Sequence, residues 1–187
     1  MHQTNASQAA ASGLPIHSFS RCHDGIRTQL QSLARLPQQV SETDRAGATA
    51  QQALSMFRNV VFDHHAEEEK DLFPAVLAAS NSEEYGGLRT MVDALTAEHR
   101  QIEALWRRLE PGLEQLAQGQ PAQLDTALLI ELVTRYEAHA QSEEEQFLPR
   151  AESILGRRDP SMAALGFSLH MRHQLQEASR NDVPHAG

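Results

Sequence analysis

The chain has 187 residues, enough for one domain with a single buried core, and 40% of them are hydrophobic while only 5% are aromatic. Its formal charge of -9 and pI near 5.5, with Lys70 as the single lysine, argue against a surface for nucleic acid or anionic membrane. Ala, Leu, Gln, Glu and Arg dominate, which favours helices packed on helices and predicts an all-α fold.

The cysteine content and the N-terminal segment indicate the compartment. The lone Cys22 rules out an intrachain disulfide and any cysteine-rich zinc or iron–sulfur site, and is typical of a reducing environment. The first residues lack the basic and apolar regions of a signal peptide, and no apolar run reaches the length of a membrane span. We therefore expect a cytoplasmic protein.

Two helices are predicted in the first half of the chain. Apolar residues at three- and four-residue steps predict a helix from Leu14 to about Pro37, with His23 inside its apolar stripe. A second helix follows a polar SETD stretch that can cap its start. His64 and Glu68 lie on the apolar face of this second helix.

Two further long helices are predicted in the second half. The third follows the Tyr-Gly-Gly stretch at 85–87, carries His99 in the middle of its stripe, and is expected to kink or end at Pro111. Pro121 suits the first turn of the fourth helix. The polar residues on the apolar face of the fourth helix are His139 and Glu143.

The predicted elements define the domain organisation. Residues 1–13 are small and polar and are expected to form a disordered tail. Residues 14–158 are expected to form an up-down-up-down four-helix bundle. Residues 159–187 are assigned to a short additional C-terminal helix, at about 161–178, and a tail.

The strongest feature of the sequence is a two-fold repeat of helix pairs, brought into register by the histidines. The His-x-x-Ile motif at His23 recurs 76 residues later at His99. The His-x-x-x-Glu motif at His64, with Leu-Phe-Pro after it, recurs 75 residues later at His139, with Phe-Leu-Pro after it. A near-constant offset across two separate features is hard to obtain by chance.

The repeat predicts a metal site. Residues four apart on a helix lie on one face about 6 Å apart along the axis, so one His and one Glu can reach a common centre. Six polar side chains on apolar faces would each cost on the order of 1 to 3 kcal/mol if buried without partners. A pair of metal ions satisfies all six, and such nitrogen and oxygen ligands suit iron, manganese or zinc. The candidate ligands are His23, His64, Glu68, His99, His139 and Glu143.

These residues resemble the hemerythrin-like, or HHE cation-binding, family, a four-helix bundle with a His-x-x-x-Glu motif and Leu-Phe-Pro after it. The resemblance covers roughly Leu14 to Leu155. It implies two non-haem iron ions with an oxo or hydroxo bridge between them, and Glu68 and Glu143 as bridging carboxylates. The terminal ligands that it implies are His23, His64, His99 and His139.

Two departures narrow the resemblance. Oxygen-carrying hemerythrins have a fifth histidine one turn before the third-helix ligand, and this chain has Leu95 at that position. They also have an aspartate five residues after the last histidine, whereas Glu143 lies four residues after His139. The pattern is closer to the bacterial four-His, two-Glu di-iron proteins of nitric oxide response and iron–sulfur cluster repair. An open position on each iron is then implied, which can take dioxygen, nitric oxide, peroxide or water. Binding or sensing a small molecule, or a role in iron and redox stress, is favoured over turnover.

The remaining polar residues are interpreted as peripheral. His65 is predicted to be exposed, one step round the helix from His64, and with Glu69 it forms the next candidate pair if the register is wrong. Tyr136, one turn before His139, either touches the site or packs beside it. The residues assigned to the solvated surface are Glu67, Glu69, Glu144, Glu145, His170 and His173.

Other functional classes remain as alternatives. An iron–sulfur cluster repair protein or a di-iron redox enzyme would use the same site, although the only cysteine is Cys22, within the first helix. A metal-free structural or interaction bundle would not need it. The Glu-x-x-His pattern of ferritin-like oxidases and the motifs of metallo- and serine hydrolases are missing. The native metal, the physiological ligand and the oligomeric state are not encoded in these motifs.

Overall fold

The computed structural model describes residues 16–39 and 43–157, and every regular element within these ranges is helical. The predicted all-α bundle with four long helices is confirmed, whereas the C-terminal helix expected at 161–178 lies outside the described residues. The long helices are α1 (Ile16–Ala34), α3 (43–79), α4 (Ser82–Ala117) and α5 (126–156), and α2 (Leu36–Gln39) is a single turn after α1.

Contacts between helix ends define the up-down arrangement. Near the start of α3, the Gln51 side chain donates a hydrogen bond to the carbonyl of Ala117 at the end of α4, at 3.1 Å. Just after the end of α5, the Arg157 guanidinium binds the carboxylate of Glu84 at the start of α4, at 2.7 and 2.9 Å. Helices α3 and α5 are therefore both antiparallel to α4. Helix α1 packs against α3 and α5 and closes the bundle.

The interior has two apolar clusters with a polar layer between them. Along α1, Phe19 belongs to one cluster and Ile26 to the other, and the buried His23 lies between them. Along α4, the same order is Leu95, His99 and Ile102. We call the fully enclosed polar residues at this level the polar layer: His23, His64, His65, Glu68, His99, His139 and Glu143. Within the described ranges, no helix has the length and apolar character needed to cross a membrane.

The two His-x-x-x-Glu motifs each end in a π-helical turn. These turns span Glu68–Leu72 in α3 and Glu143–Phe147 in α5, and each begins at the motif's glutamate. Pro74 and Pro149 lie two residues after the turns. Because proline has no N–H and its ring clashes with the carbonyl four residues earlier, a wider turn just before it relieves the clash. A third π turn, Phe57–Val61, precedes the first motif.

Helix α4 is longer at both ends than the sequence predicts. It begins at Ser82 and runs through the two glycines at 86–87, because Asn81 and Glu84 form a reciprocal capping box. It also continues through Pro111 to Ala117, so of the two outcomes predicted at this proline, a kink or an end, the helix does not end there. The strong N-terminal cap and the apolar face of Leu113 and Leu116 in the core outweigh the local helix breakers.

Helix α5 begins later than predicted. The sequence places its first turn at Pro121, but the helix starts at Thr126. The Asp125 side chain accepts a hydrogen bond from the backbone N–H of Leu128 at 3.0 Å, which caps the helix. An N-terminal aspartate cap is therefore the signal that fixes this start, and the proline lies in the connection before it.

Gly119 ends α4 with a positive φ of 72°, and the next residue, Gln120, donates its N–H to the carbonyl of Gln115 at 2.9 Å. We expect Gly119→Ala to lower the free energy of unfolding by about 1 kcal/mol, because a Cβ is unfavourable in the left-handed region. Gly87→Ala is the matched control: it is exposed within α4, and apart from the adjacent residues and the nearby backbone of its own helix no atom lies within 4 Å of the added Cβ, so it should leave stability equal or slightly higher. Equal effects of the two substitutions in urea unfolding would contradict this explanation.

Candidate metal centre

The bundle brings all six predicted ligands into the polar layer. Each of the four long helices contributes at least one of them, and all are at most 4% exposed. One group of four residues has ligand atoms within 4.8 Å of one another: His23, His64, Glu68 and Glu143. A second group meets the same limit and consists of His65, His99 and His139.

Four of these histidines form two pairs with similar ring geometry. In the first pair, the rings of His23 and His64 have centroids 4.7 Å apart and planes at 90°, and their Nε2 atoms are 2.7 Å apart. In the second pair, the rings of His99 and His139 are also 4.7 Å apart, with planes at 75°. Two imidazoles that point their Nε2 atoms at one ion from neighbouring positions adopt this arrangement, because metal–nitrogen distances of about 2.1 Å place the nitrogens roughly 3 Å apart.

Each carboxylate contacts one histidine of each pair. Glu68 places Oε1 3.1 Å from Nε2 of His64 and Oε2 3.3 Å from Nε2 of His99. Glu143 places Oε2 3.4 Å from Nε2 of His23 and 3.7 Å from Nε2 of His139. Both carboxylates therefore lie between the histidine pairs, where they could bridge two ions.

The inward atoms lack hydrogen-bond partners. Despite the short separations, these contacts are not aligned as hydrogen bonds. Among the described residues, both carboxylate oxygens of Glu68 and both of Glu143 have no hydrogen-bond partner. The Nε2 atoms of His99 and His139 also have none. Each such buried group costs on the order of 1 to 3 kcal/mol. Metal ions would satisfy all of these atoms at once, so the residues present fit a dinuclear centre.

Carboxylates outside the polar layer fix the ring orientation of three histidines. Nδ1 of His23 pairs with Glu144 at 3.0 Å, Nδ1 of His99 with Glu69 at 2.9 Å, and Nδ1 of His139 with Glu98 at 2.9 Å. A carboxylate only accepts hydrogen bonds, so each Nδ1 carries the hydrogen and each Nε2 presents its lone pair to the interior. Carboxylates in this position orient metal-binding histidines and make them stronger ligands.

These contacts correct the surface assignment of several glutamates. Glu69 and Glu144 are only partly exposed and hold ligand candidates in place, with Arg100 and Arg27 bound to their outer sides. The repeat could have identified both, since they are 75 residues apart and each follows a motif glutamate. Of the other glutamates assigned to the surface, Glu67 is also buried and Glu145 is exposed as predicted.

His65 is the residue of the polar layer that the sequence interpretation missed. It was expected to be exposed, but it is 1% exposed and stacks on His99, with ring centroids 3.9 Å apart and planes at 7°. Helix α3 lies between α1 and α4, so His64 can face α1 while His65, about 100° further round, faces α4. The repeat gives no signal here because the matching position is Ala140.

Comparison with known proteins agrees with the geometry. The family model of the hemerythrin HHE cation-binding domain matches residues 14–151. The chain belongs to this family. An uncharacterized protein of Haemophilus influenzae is 25% identical over 166 residues, covering 87% of this chain and 92% of the relative. No solved structure matches the chain.

Electrostatics in the hemerythrin domain concentrate on the two central carboxylates. Burial, and then the neighbouring Glu143 charge, raise the pKa of Glu68 well above its ordinary value. Burial opposes ionisation of Glu143 too, but contacts with His23 and His139 hold its pKa below the ordinary value. Burial also lowers the pKa of His99, so this imidazole is neutral and its Nε2 can bind a cation. The interior thus offers neutral nitrogens and carboxylates that a cation would ionise fully.

Two other groups border the polar layer of the hemerythrin domain. Tyr136 packs beside the site, with its ring centroid 6.2 Å from that of His139 and 6.4 Å from that of His23. Cys22 precedes His23 on α1, and burial raises the pKa of its thiol to about 12. It belongs to neither of the two groups of described residues whose ligand atoms lie within 4.8 Å of one another. His170 and His173 lie outside the described residues.

The outer carboxylates generate a prediction about metal affinity. We expect Glu144→Gln to weaken metal binding by roughly 10- to 100-fold, because His23 loses the carboxylate that orients its ring. Glu145→Gln is the matched control, on the same helix and exposed, with only a surface hydrogen bond to Gln141. Competition with a chelator measures both affinities. Equal affinities would mean that Glu144 only forms an ion pair with Arg27.

The raised pKa of Glu68 generates a prediction about the metal-free protein. Because the folded-state pKa lies above the ordinary 4.5, the unfolded state releases this proton more readily, so stability is lost as pH rises above about 4.5. We expect Glu68→Gln to raise the melting temperature of the chelated protein at pH 7, with the difference vanishing below pH 4.5. In metal-loaded protein the same substitution should lower the melting temperature, because a ligand is lost. A lower melting temperature in both forms would contradict this assignment.

Proposed function

We propose that this protein is a non-haem di-iron protein that binds or senses a small molecule such as dioxygen or nitric oxide. One iron is held by His23 and His64 and the other by His99 and His139. Glu68 and Glu143, which each contact one histidine of each pair, would bind both irons. One observation carries the proposal. The four histidines form two pairs in which the two rings are nearly perpendicular to each other, and each pair contacts both carboxylates.

Iron is proposed because of the family and the donor set. Four imidazoles and two carboxylates suit iron, manganese or zinc, and no thiolate is available to favour softer ions. When bound, the iron pair supplies redox chemistry and a position for an external molecule. The protein residues then orient the ligands, exclude water and keep the imidazoles neutral.

Burial supports a small ligand. Every proposed metal ligand is at most 4% exposed, and apolar side chains close the polar layer from both sides. Two surface pockets of the bundle, one beside Arg108 and one beside Pro149, are lined by none of the proposed ligands. A diatomic molecule can enter such an interior through side-chain motion, whereas a large substrate would need an open cleft.

The alternatives have less support. Iron–sulfur cluster repair or redox turnover would use the same irons, but Cys22 is a protonated thiol within α1 and does not supply a reactive thiolate. A metal-free structural bundle leaves six inward atoms of four proposed ligands without partners among the described residues, each at a cost of about 1 to 3 kcal/mol. Binding and sensing therefore remain the function that the site supports best.

The first test is metal content with an optical spectrum, on protein produced with iron available. We expect about two irons per chain, and near-ultraviolet charge-transfer absorption that changes on adding azide or nitric oxide. Glu143→Ala should lose most of this iron, because it removes a contact to both histidine pairs. Glu137→Ala is the control, exposed on the same helix, and should keep the wild-type iron content. Equal iron in both variants, or wild-type protein that binds no iron, would overturn the assignment.

A further inference from the structure

His65 is the one member of the polar layer without a role in the proposed iron centre. Its Nδ1 lies 3.4 Å from Oε1 of Glu103, and its buried Nε2 has no hydrogen-bond partner among the described residues. A ring nitrogen of His65 is within 4.8 Å of a ring nitrogen of His99 and of His139. The side chain therefore reaches the edge of one half of the centre, on the side of His99 and His139.

The partner on Nδ1 determines what Nε2 can do. Glu103 also binds Arg100 and Arg107, both at 3.1 Å, which keeps it a carboxylate that only accepts hydrogen bonds. The hydrogen of His65 is therefore on Nδ1, and Nε2 carries a lone pair. This is the same pairing that orients His23, His99 and His139. A buried lone pair must either bind an ion or accept a hydrogen bond.

The ring geometry excludes a shared ion with His99. Both proposed ligand pairs have centroids 4.7 Å apart and planes at 75–90°. His65 and His99 are instead stacked at 3.9 Å and 7°. Lone pairs of stacked imidazoles lie in parallel planes, so they do not converge on one ion at normal bonding distance. Nε2 of His65 is thus left to accept a hydrogen bond.

We propose that His65 is a positioning residue whose Nε2 accepts a hydrogen bond from the small molecule bound at the His99–His139 iron. The inference rests on the proposed di-iron function and moves its preferred ligand from dioxygen or nitric oxide to a molecule that donates a hydrogen bond. The residue selects molecules that carry an O–H or N–H group, the class of hydrogen peroxide and water, over molecules without one, such as azide or nitric oxide.

Two substitutions of His65 test the roles of its two ring nitrogens separately. Asparagine can keep a polar atom near Nδ1 and its bond to Glu103 but has nothing at Nε2, whereas glutamine reaches the position of Nε2. Azide is the probe, since it has no hydrogen to donate and competes with water for the same position. We expect His65→Asn to keep about two irons and to bind azide roughly three- to tenfold more tightly, the effect of one lost hydrogen bond to the competing water. His65→Gln should keep both the iron and the wild-type azide affinity.

Measuring iron content and azide affinity in parallel distinguishes a failure of this inference from a failure of the proposed function. Loss of about one iron in both variants would show that His65 is a ligand and would overturn the inference. Unchanged azide affinity in His65→Asn with full iron would also overturn it, because His65 would then only pack against His99. Wild-type protein with no iron would overturn the proposed function itself, and this inference with it.

Discussion

The fold is organised around one constraint, the burial of imidazoles and carboxylates in a single layer between two apolar clusters. Neither oxygen of Glu68 and Glu143 has a partner within the described part of the chain, so the layer is costly unless a cation lies within it. The flanking clusters, with Phe73 and Phe147 on one side and Phe57 and Trp106 on the other, contribute the apolar burial that offsets this cost. Under the proposed function, metal binding and folding stability would be coupled through the same residues.

The local sequence explains why each glutamate lies where it does. A proline six residues after Glu68 and six after Glu143 favours a π turn that begins at the glutamate, and the backbone N–H five residues on bonds its carbonyl. The His-x-x-x-Glu spacing is kept on one helical face, while the helix beyond the turn is shifted in register. The last residues of the two turns, Leu72 and Phe147, are buried in the same apolar cluster.

The sequence repeat predicted the bundle and the convergence of the six candidate ligands, because a 75- to 76-residue offset is visible without structure. It could not predict His65, since α3 buries adjacent positions against two different neighbours and no repeat partner marks the second one. Glu98 was missed for a related reason: Cys22 is the residue at the matching position of the first half. Helix starts were misplaced where a cap, at Asn81 and Asp125, decided the boundary rather than Gly or Pro.

The breaks in the repeat make the two halves of the centre chemically different. Around the second histidine pair, Glu98 orients His139 and the stacked His65 adds an inward lone pair. The corresponding positions of the other half hold Cys22 and Ala140, which provide neither a carboxylate nor an imidazole. Two ions held by otherwise equivalent ligands would then differ in their surroundings. Under the inference drawn for His65, a molecule with an O–H or N–H group would bind at the His99–His139 end, because His65 offers it a hydrogen-bond acceptor there besides the ligands themselves.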